Sequence, residues 1–280
     1  MTSLERKHEI LRLLERQGYV EVGELARRCA VSDVTIRRDL SDLMEEGLLV
    51  RTHGGAKLRG ANAAEPPYFL KEIQHVEVKE AIGRRAAQLV SDGDAIILNA
   101  GTTAHALAKE LKSRKRLQVL TNAIPVAAEL ADCEDIQVVL TGGVLREKTL
   151  ALVGPVAERT IAEVYVRWAF LGVNGISMER GIAMYSQIEA HVNKAFIRAA
   201  QEVVVVADSS KFTTAALSVI APITAVHWII TDDGLAPELR EACEARGIKV
   251  LTVERGVPDA PTRPAGPAAQ PSSTGLGSLS

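Results

Sequence analysis

The stretch Ser32–Leu49, SDVTIRRDLSDLMEEGLL, decides how the N-terminal part of this chain is read. Ser32 is placed to cap a helix, its hydroxyl accepting a backbone N–H that the first turn leaves unpaired. Ile36, Leu40, Leu43 and Met44 recur at helical spacing and form one apolar stripe. Thr35, Arg38 and Asp42 fall on the opposite face, with Arg37 on the flank. Gly47 suits a left-handed stop. Such a helix, with a hydroxyl and two guanidiniums in its N-terminal half, can lie in a DNA major groove and offer Thr35 and Arg38 to base edges. The same pattern also fits an ordinary surface helix, and the flanking residues decide between the two.

Leu4–Gln17 carries Leu4, Leu11 and Leu14 on one face, helped by Ile10, and stops at Gly18. Tyr19-Val20 is a short extended piece. Val22–Cys29 is a second, short helix, and Ala30-Val31 turns the chain into Ser32, which completes a helix-turn-helix. Leu48–Arg51 is strand-like, Thr52-His53-Gly54-Gly55 is a tight turn, and Ala56–Arg59 can return as a second strand, giving a wing. Residues 1–60 are close to neutral, but their basic groups are placed selectively. Arg37, Arg51 and Lys57 are expected at phosphates, Thr35 and Arg38 at bases, and Ser32 and His53 complete the DNA-facing set. Asp39 sits between these groups in sequence and is expected to orient the two neighbouring arginines through an ion pair. Asp42 and Glu45 lie near the outer face, which limits groove contact to the first turns.

These residues carry a family resemblance. RKHEILRLLERQGYVEVGELARRCAVSDVTIRRDLSDLMEEGLLVRTHGGA, residues 6–56, resembles the N-terminal winged helix of the DeoR-type bacterial transcription regulators, with T-I-R-R-D-L and R-T-H-G-G-A carrying the match. The resemblance implies a double-stranded DNA operator as partner.

The whole chain has 280 residues, which suits about two domains. Hydrophobic residues make up 47%, enough for real cores, and the formal net charge of −2 confines any DNA contact to a local patch. Cys29, Cys133 and Cys243 lie far apart with no C-x-x-C pair. That argues against a disulfide framework and against zinc, and for a reducing cytoplasm. No apolar run approaches the roughly 20 residues of a membrane span, and no signal-peptide pattern opens the chain, so a cytoplasmic protein without membrane contact is expected. The expected division is 1–59 for the winged helix, 60–76 for a linker, 77–257 for an effector domain and 258–280 for a disordered tail rich in Pro, Ala, Gly and Ser. Pro66-Pro67 points to an extended spacer. Glu72, His75 and Glu77 lack a partner cluster and read as solvated residues, so neither metal nor cofactor is expected.

Beyond Val78 the chain alternates. Ala95–Leu98, Val119–Leu120, Ile136–Leu140, Ala169–Val173, Val203–Ala207, Val226–Ile230 and Lys249–Val253 are strand-length and apolar. Helical patterns lie between several of them, at Ala104–Leu111, Ala123–Ala131, Pro155–Val164, Ile188–Ala200 and Leu235–Arg246. The fold class is therefore α/β, a mostly parallel sheet covered on both faces behind the winged helix-turn-helix. Four strands end in Gly-, Thr- or Asn-rich loops: Asn99–Thr103, Thr121-Asn122, Thr141–Gly143 and Gly172–Gly175. Loops of this kind at carboxyl strand ends, two of them opening helices, can cradle a phosphate or similar anion. No G-x-G-x-x-G follows a strand and no Walker A motif occurs, which disfavours dinucleotides and nucleoside triphosphates. Asp208 and Lys211 are placed for a sugar hydroxyl and a phosphate. Glu189 and Lys194 share a helix and read as surface charge or as ligand contacts. His105, His191 and His227 read as structural or surface residues.

The resemblance continues through ILNAGTTAHALAKEL, VLTNAIPVA, VVLTGGVLRE, FLGVNGI, IEAHVNKAFI and VVVVADSSKF, which look like the effector domain of the same regulators. It implies a fold similar to ribose-5-phosphate isomerase and the CoA transferases, and a phosphorylated sugar or related metabolite as effector. It assigns effector contact to Gly101, Thr102, Thr103, Thr121, Asn122, Gly142, Gly143, Glu189 and Lys211, with Asn99 beside them. Two positions depart from the family pattern: Asn99 stands where an Asp is common, and Asn193 where a basic residue is. The expected function is a non-enzymatic, ligand-controlled repressor working as a homo-oligomer, a dimer or tetramer. The alternative is a sugar-phosphate isomerase with a DNA-binding appendage, whose base would be Glu189 or Asp208.

Overall fold

The computed structural model describes residues 1–45, 48–52, 54–58, 65–214 and 216–255. Gly47, His53, Arg59 and the segment 258–280 lie outside the described residues. The N-terminal module contains α1 (Ser3–Gln17), β1 (Val20–Glu21), α2 (Val22–Cys29), α3 (Asp33–Glu45), β2 (Leu49–Thr52) and β3 (Gly55–Leu58). Thr2 caps α1 in a reciprocal box with Glu5, and Gly18 ends it at φ 74°, its N–H donating to the Leu14 carbonyl. Ile10, Leu11, Leu14, Leu25, Ile36, Leu40, Leu43 and Leu49 form one buried core, which is the apolar periodicity of three helices and a strand brought together. The strands pair antiparallel in the order β1-β3-β2. The wing turn requires its two glycines: Gly54 sits at φ +82°, and a Cβ on Gly55 would overlap the Val20 carbonyl.

The expected extended spacer is corrected by the structure. Tyr68–Ile73 forms a helix, α4, with Pro67 at its N-cap position. Proline is excluded from helix interiors but is compatible with their first turn, so Pro66-Pro67 starts this helix instead of preventing it. Leu70 and Ile73 are buried in the N-terminal core.

The remainder runs α5 (Val76–Ala87), β4 (Ala95–Leu98), α6 (Thr102–Glu110), β5 (Leu117–Thr121), α7 (Ile124–Leu130), β6 (Ile136–Leu140), β7 (Val144–Arg146), β8 (Ala151–Val153), α8 (Pro155–Ala162) and β9 (Val166–Leu171). It continues with β10 (Gly175–Ser177), β11 (Gly181–Met184), α9 (Gln187–Arg198), β12 (Ala200–Val206), β13 (Ser218–Ala221), β14 (Trp228–Asp232), α10 (Pro237–Glu244) and β15 (Lys249–Val253). All seven strands read from the sequence enter one sheet in the order β15-β14-β12-β9-β4-β5-β6, every neighbour parallel. Alternate residues serve two cores: Trp168 and Phe170 of β9 pack with Ile82, Leu107 and Val126 of α5, α6 and α7, while Ala169 and Leu171 pack with Ile161, Phe196 and Cys243 of α8, α9 and α10. Two antiparallel pieces were not legible in the sequence: the β7–β8 hairpin and the small sheet β10-β11-β13.

From β4 the chain builds outward to β5 and β6. From β9 it builds the other way, to β12, β14 and β15. The order therefore reverses between β4 and β9, and the carboxyl ends of those strands splay apart into a crevice.

Candidate functional site

The outer surface of the N-terminal module carries the first candidate site. The Thr35 N–H donates to Ser32 Oγ at 3.2 Å, and the two hydroxyl oxygens lie 3.0 Å apart. Ser32 thus caps α3, and Arg37 and Arg38 are exposed on its first turns. Arg51 pairs with Ala56 across the wing and Lys57 with Val50, so these two exposed cations leave the hairpin on opposite faces. Asp39 does not orient Arg37 or Arg38. Its carboxylate is buried against α1, where it accepts from Arg6 Nε at 2.7 Å, Arg6 Nη2 at 3.2 Å and Ser3 Oγ at 3.0 Å. The hydrogen bond to Asp39 raises the Arg6 pKa. A 100° step per residue turns Asp39 away from the face of Arg38 and beside Leu40, toward the core. Asp42 is likewise engaged, with Lys7 at 2.9 Å.

The second site is a cavity of about 90 Å³ at the β4–β9 reversal. Ala100–Thr103 line it from the β4–α6 loop, Gly172–Asn174 from the end of β9, and Asp208 and Lys211 from the end of β12. Thr149, Tyr185 and Glu189 complete the wall together with Tyr68, Lys71, Gln74, His75 and Lys79. Thr102 and Thr103 begin α6, so that helix points its unpaired N–H groups and the positive end of its dipole into the crevice.

The charges of the cavity are coupled. Glu189 is 2% exposed. Its Oε1 accepts from the Thr149 hydroxyl and from Arg146 Nη1 at 3.4 Å, while its buried Oε2 has no hydrogen-bond donor among the described residues. Burial raises the Glu189 pKa, against the opposing pull of Thr149 and Arg146. Arg146 also clasps Glu65, whose Oε1 lies 3.2 Å from Nη1, and Glu65 in turn reaches Lys71 at 3.4 Å. Burial lowers the Lys71 pKa, partly offset by Glu65 and Glu189. At Asp208 burial works against the carboxylate, but Lys211 at 3.6 Å and the Ser210 hydroxyl outweigh it and hold the pKa below the usual range. A helix N-terminus, an ammonium and an orphan carboxylate oxygen can together hold an anionic group attached to a hydroxylated body.

Of the residues expected at the effector, Gly101, Thr102, Thr103, Glu189 and Lys211 meet on this wall. The other five do not reach it. Asn99 is fully buried, with Nδ2 donating to the Gly172 carbonyl at 2.8 Å and to Asn193 Oδ1 at 2.7 Å, and Oδ1 accepting the Gly172 N–H at 2.8 Å. Thr121 Oγ1 accepts the Ala123 N–H at 3.0 Å. Asn122 ties two loops, accepting from the Ala100 N–H and donating to the Leu152 carbonyl, each at 3.0 Å. A side chain at Gly142 would meet Val156, and one at Gly143 would overlap the Val153 carbonyl. β5 and β6 stand outside the reversal, and the loops at their ends are not among the residues that line this cavity.

His105 is engaged on both ring nitrogens: Nδ1 lies 2.7 Å from Tyr68 Oη and Nε2 3.0 Å from Glu129. Burial, with Glu72 and Glu129 nearby, pushes the Tyr68 pKa well above its ordinary value. Sequence reasoning missed Tyr68 and Lys71 because the segment before Val76 read as spacer, and it missed Lys79, Arg146 and Thr149 because an isolated polar residue on a helix or in a short hairpin shows no local sign of the cavity it meets. The available signal was the three-residue spacing of Leu70 and Ile73 against Tyr68 and Lys71. Among the described residues no group of His, Cys, Asp and Glu is arranged to hold a metal ion.

Comparison with known proteins follows the same two-part division. Residues 6–60 match the family described as DeoR-like helix-turn-helix domain, and residues 74–233 that described as DeoR C terminal sensor domain. The chain is 37% identical over 253 residues to the uncharacterized HTH-type transcriptional regulator YulB of Bacillus subtilis (strain 168), spanning 90% of this chain and 98% of that protein. It is 33% identical over 232 residues to the glycerol-3-phosphate regulon repressor of Escherichia coli (strain K12), spanning 83% and 92%. Among solved structures, ribose 5-phosphate isomerase A of Methanocaldococcus jannaschii overlays 50% of this chain and 55% of that one, at 22% identity and a TM-score of 0.37.

Proposed function

The chain belongs to the DeoR family of transcriptional regulators, and from that premise we propose that it is a repressor whose grip on an operator is set by a phosphorylated sugar, or a related phosphorylated polyol, held in the β4–β9 cavity. The observation that carries this reading is the pairing, across one small crevice, of the α6 N-terminus with the orphan Oε2 of Glu189. Thr102 and Thr103 suit the phosphate, Lys211 adds a cation, and Glu189 and Asp208 suit hydroxyl donors. The glycerol-3-phosphate regulon repressor among its relatives points to the same ligand chemistry. On the DNA side, Thr35 and Arg38 read bases, Arg37, Arg51 and Lys57 engage phosphates, and Ser32 and His53 complete the DNA-facing set.

A thermal-shift series with sugar phosphates and the matching free sugars tests the effector, because a ligand of the native state raises its melting temperature. Phosphorylated members should shift it and free sugars should not. The Thr102→Glu variant should lose the shift by repelling the phosphate. Equal shifts from free sugars, or normal binding by Thr102→Glu, would remove the anion cradle from the reading.

We also read the chain as a binding protein and not an enzyme, in line with relatives named as regulators. Steady conversion of ribose 5-phosphate to ribulose 5-phosphate would overturn this. We place it in the cytoplasm, away from membranes; none of the described helices is long and apolar enough to cross a bilayer. We divide it into a head at 1–59, a joint at 60–76 and a sensor at 77–257. A homo-oligomer is the working state in this reading, since one winged helix offers a small interface and paired heads read repeated half-sites. The edge strand β6, IQVVL, supports it: it carries no charge or proline, Val139 and Leu140 are exposed on it, and Val144 and Leu145 are exposed on the following strand. Light scattering should give a dimer or tetramer, and a monomer would contradict the proposal.

A further inference from the structure

Helix α4 falls between the two family matches, which end at 60 and resume at 74. Its two sets of side chains belong to different parts of the molecule. Leu70 and Ile73, three residues apart, are buried in the core of the head. Tyr68 and Lys71, also three apart, stand on the wall of the cavity. Helical spacing puts these pairs on separate faces, so one short helix is shared by the head and by the ligand site.

Several bonds tie α4 to the sensor. The Tyr68 N–H donates to the Lys148 carbonyl at 2.8 Å, and Tyr68 Oη meets His105 at 2.7 Å. Lys79 Nζ, from α5, donates to the carbonyls of Gln74, at 2.6 Å, and Lys71. The Lys71 ammonium lies 3.4 Å from Glu65 and 5.7 Å from the centre of the Tyr185 ring. Glu65 leads through Arg146 to Glu189. The cavity face of α4 is thus held by a chain of charges whose far end is the carboxylate with an unused oxygen.

We propose that Lys71 is itself an effector-binding residue, and that the ligand reaches the DNA-binding head directly through α4. This rests on the effector reading above and deepens it. A ligand with one anionic group and several hydroxyls offers oxygen acceptors to Lys71 and an O–H donor to Glu189 Oε2. Its oxygen competes with Glu65 for the Lys71 ammonium, so bound and free states hold α4 differently. Because Leu70 and Ile73 are part of the head's core, any change in the seating of α4 is a change in the seating of the head. Control then comes from the difference in ligand affinity between the two seatings.

The test is hydrogen–deuterium exchange on the full chain with ribose 5-phosphate, glycerol 3-phosphate and inorganic phosphate as probes. It uses wild type, Lys71→Met, which keeps the apolar stem, and Lys71→Arg, which keeps the charge. In wild type, a sugar phosphate should change protection at the start of α6, in α4 and in α1. Lys71→Met should bind it roughly tenfold or more weakly, and at saturation should change α6 without changing α1. Lys71→Arg should retain most of both effects. If wild type responds at α6 while α4 and α1 stay unchanged, or if Lys71→Met matches wild type, this inference fails and the effector site stands. If no probe alters wild-type exchange anywhere at tens of millimolar, the effector reading fails and takes this inference with it.

Discussion

Asn99 Nδ2 donates to Asn193 Oδ1 across 2.7 Å, with both side chains buried. These are the two positions at which the family resemblance leads one to expect an acid and a base. The two departures are one contact: a neutral amide pair spans β4 and α9 where the pattern suggests opposite charges. Asn99 also holds Gly172 through its main-chain N–H and carbonyl, so the pair sets the β4 and β9 ends that open the crevice.

Asn99→Asp alone should be costly. A carboxylate oxygen would replace Nδ2 and face two acceptors, the Gly172 carbonyl and Asn193 Oδ1. An uncompensated buried charge of this kind costs about 3–5 kcal/mol. Adding Asn193→Lys should restore part of that loss. Urea unfolding of both single variants and the double measures the coupling. A double variant no more stable than the sum of the singles would refute the pairing argument.

On the DNA side, Arg38→Ala should lose operator affinity by about 1–3 kcal/mol, roughly five- to 150-fold, and should relax sequence preference. Lys57→Ala should weaken all duplexes alike and reduce the salt slope by about 1. Fluorescence anisotropy over a range of salt concentrations separates the two. Equal effects on specific and random duplexes by Arg38→Ala would move the reading helix elsewhere.

Asp39→Ala should lower the melting temperature of the head by stranding Arg6, whose guanidinium it holds at 2.7 Å. Replacing both partners with Met should recover stability, because an apolar pair leaves no unmatched charge. If Asp39→Ala instead altered only DNA affinity, with unchanged melting, Asp39 would act on Arg37 and Arg38 after all.

Glu189→Gln should make the ligand-free protein more stable at neutral pH while weakening effector binding. Burial raises the folded-state pKa of Glu189. The folded state therefore keeps its proton to higher pH than the unfolded chain, and the wild type loses stability as pH rises from the ordinary carboxylate value through the raised one. The variant lacks that loss. Its advantage should be absent near pH 4, grow as pH rises, and then level off. Thermal melts across that range check the sign; an advantage largest in acid would contradict the burial argument.

Much of the fold was legible because its signals are local. Ile36, Leu40 and Leu43 repeat at helical spacing and are all buried, and each apolar run from Ala95 to Val253 became a strand of the sheet. The hairpin β7–β8 was not legible, since a three-residue strand such as Val144–Arg146 is too short to show a period. Helix α4 was hidden for another reason: two prolines are a strong local sign of extended chain, and the contacts that hold Leu70 and Ile73 in the head's core come from residues far away in sequence.

The sequence by itself determined the kinds of element, their order, the capped helix with its exposed arginines, and the set of loops able to hold an anion. Tertiary structure alone decided which of these loops line one cavity. The order in which parallel strands lie is not written in their hydrophobicity, because a strand buried on both faces looks the same wherever it stands in the sheet. Only that order puts Gly101 beside Gly172 at the reversal and leaves Asn122 and Gly142 off the cavity wall, while the packing of Leu70 and Ile73 in the head's core seats α4 so that Lys71 lines the crevice.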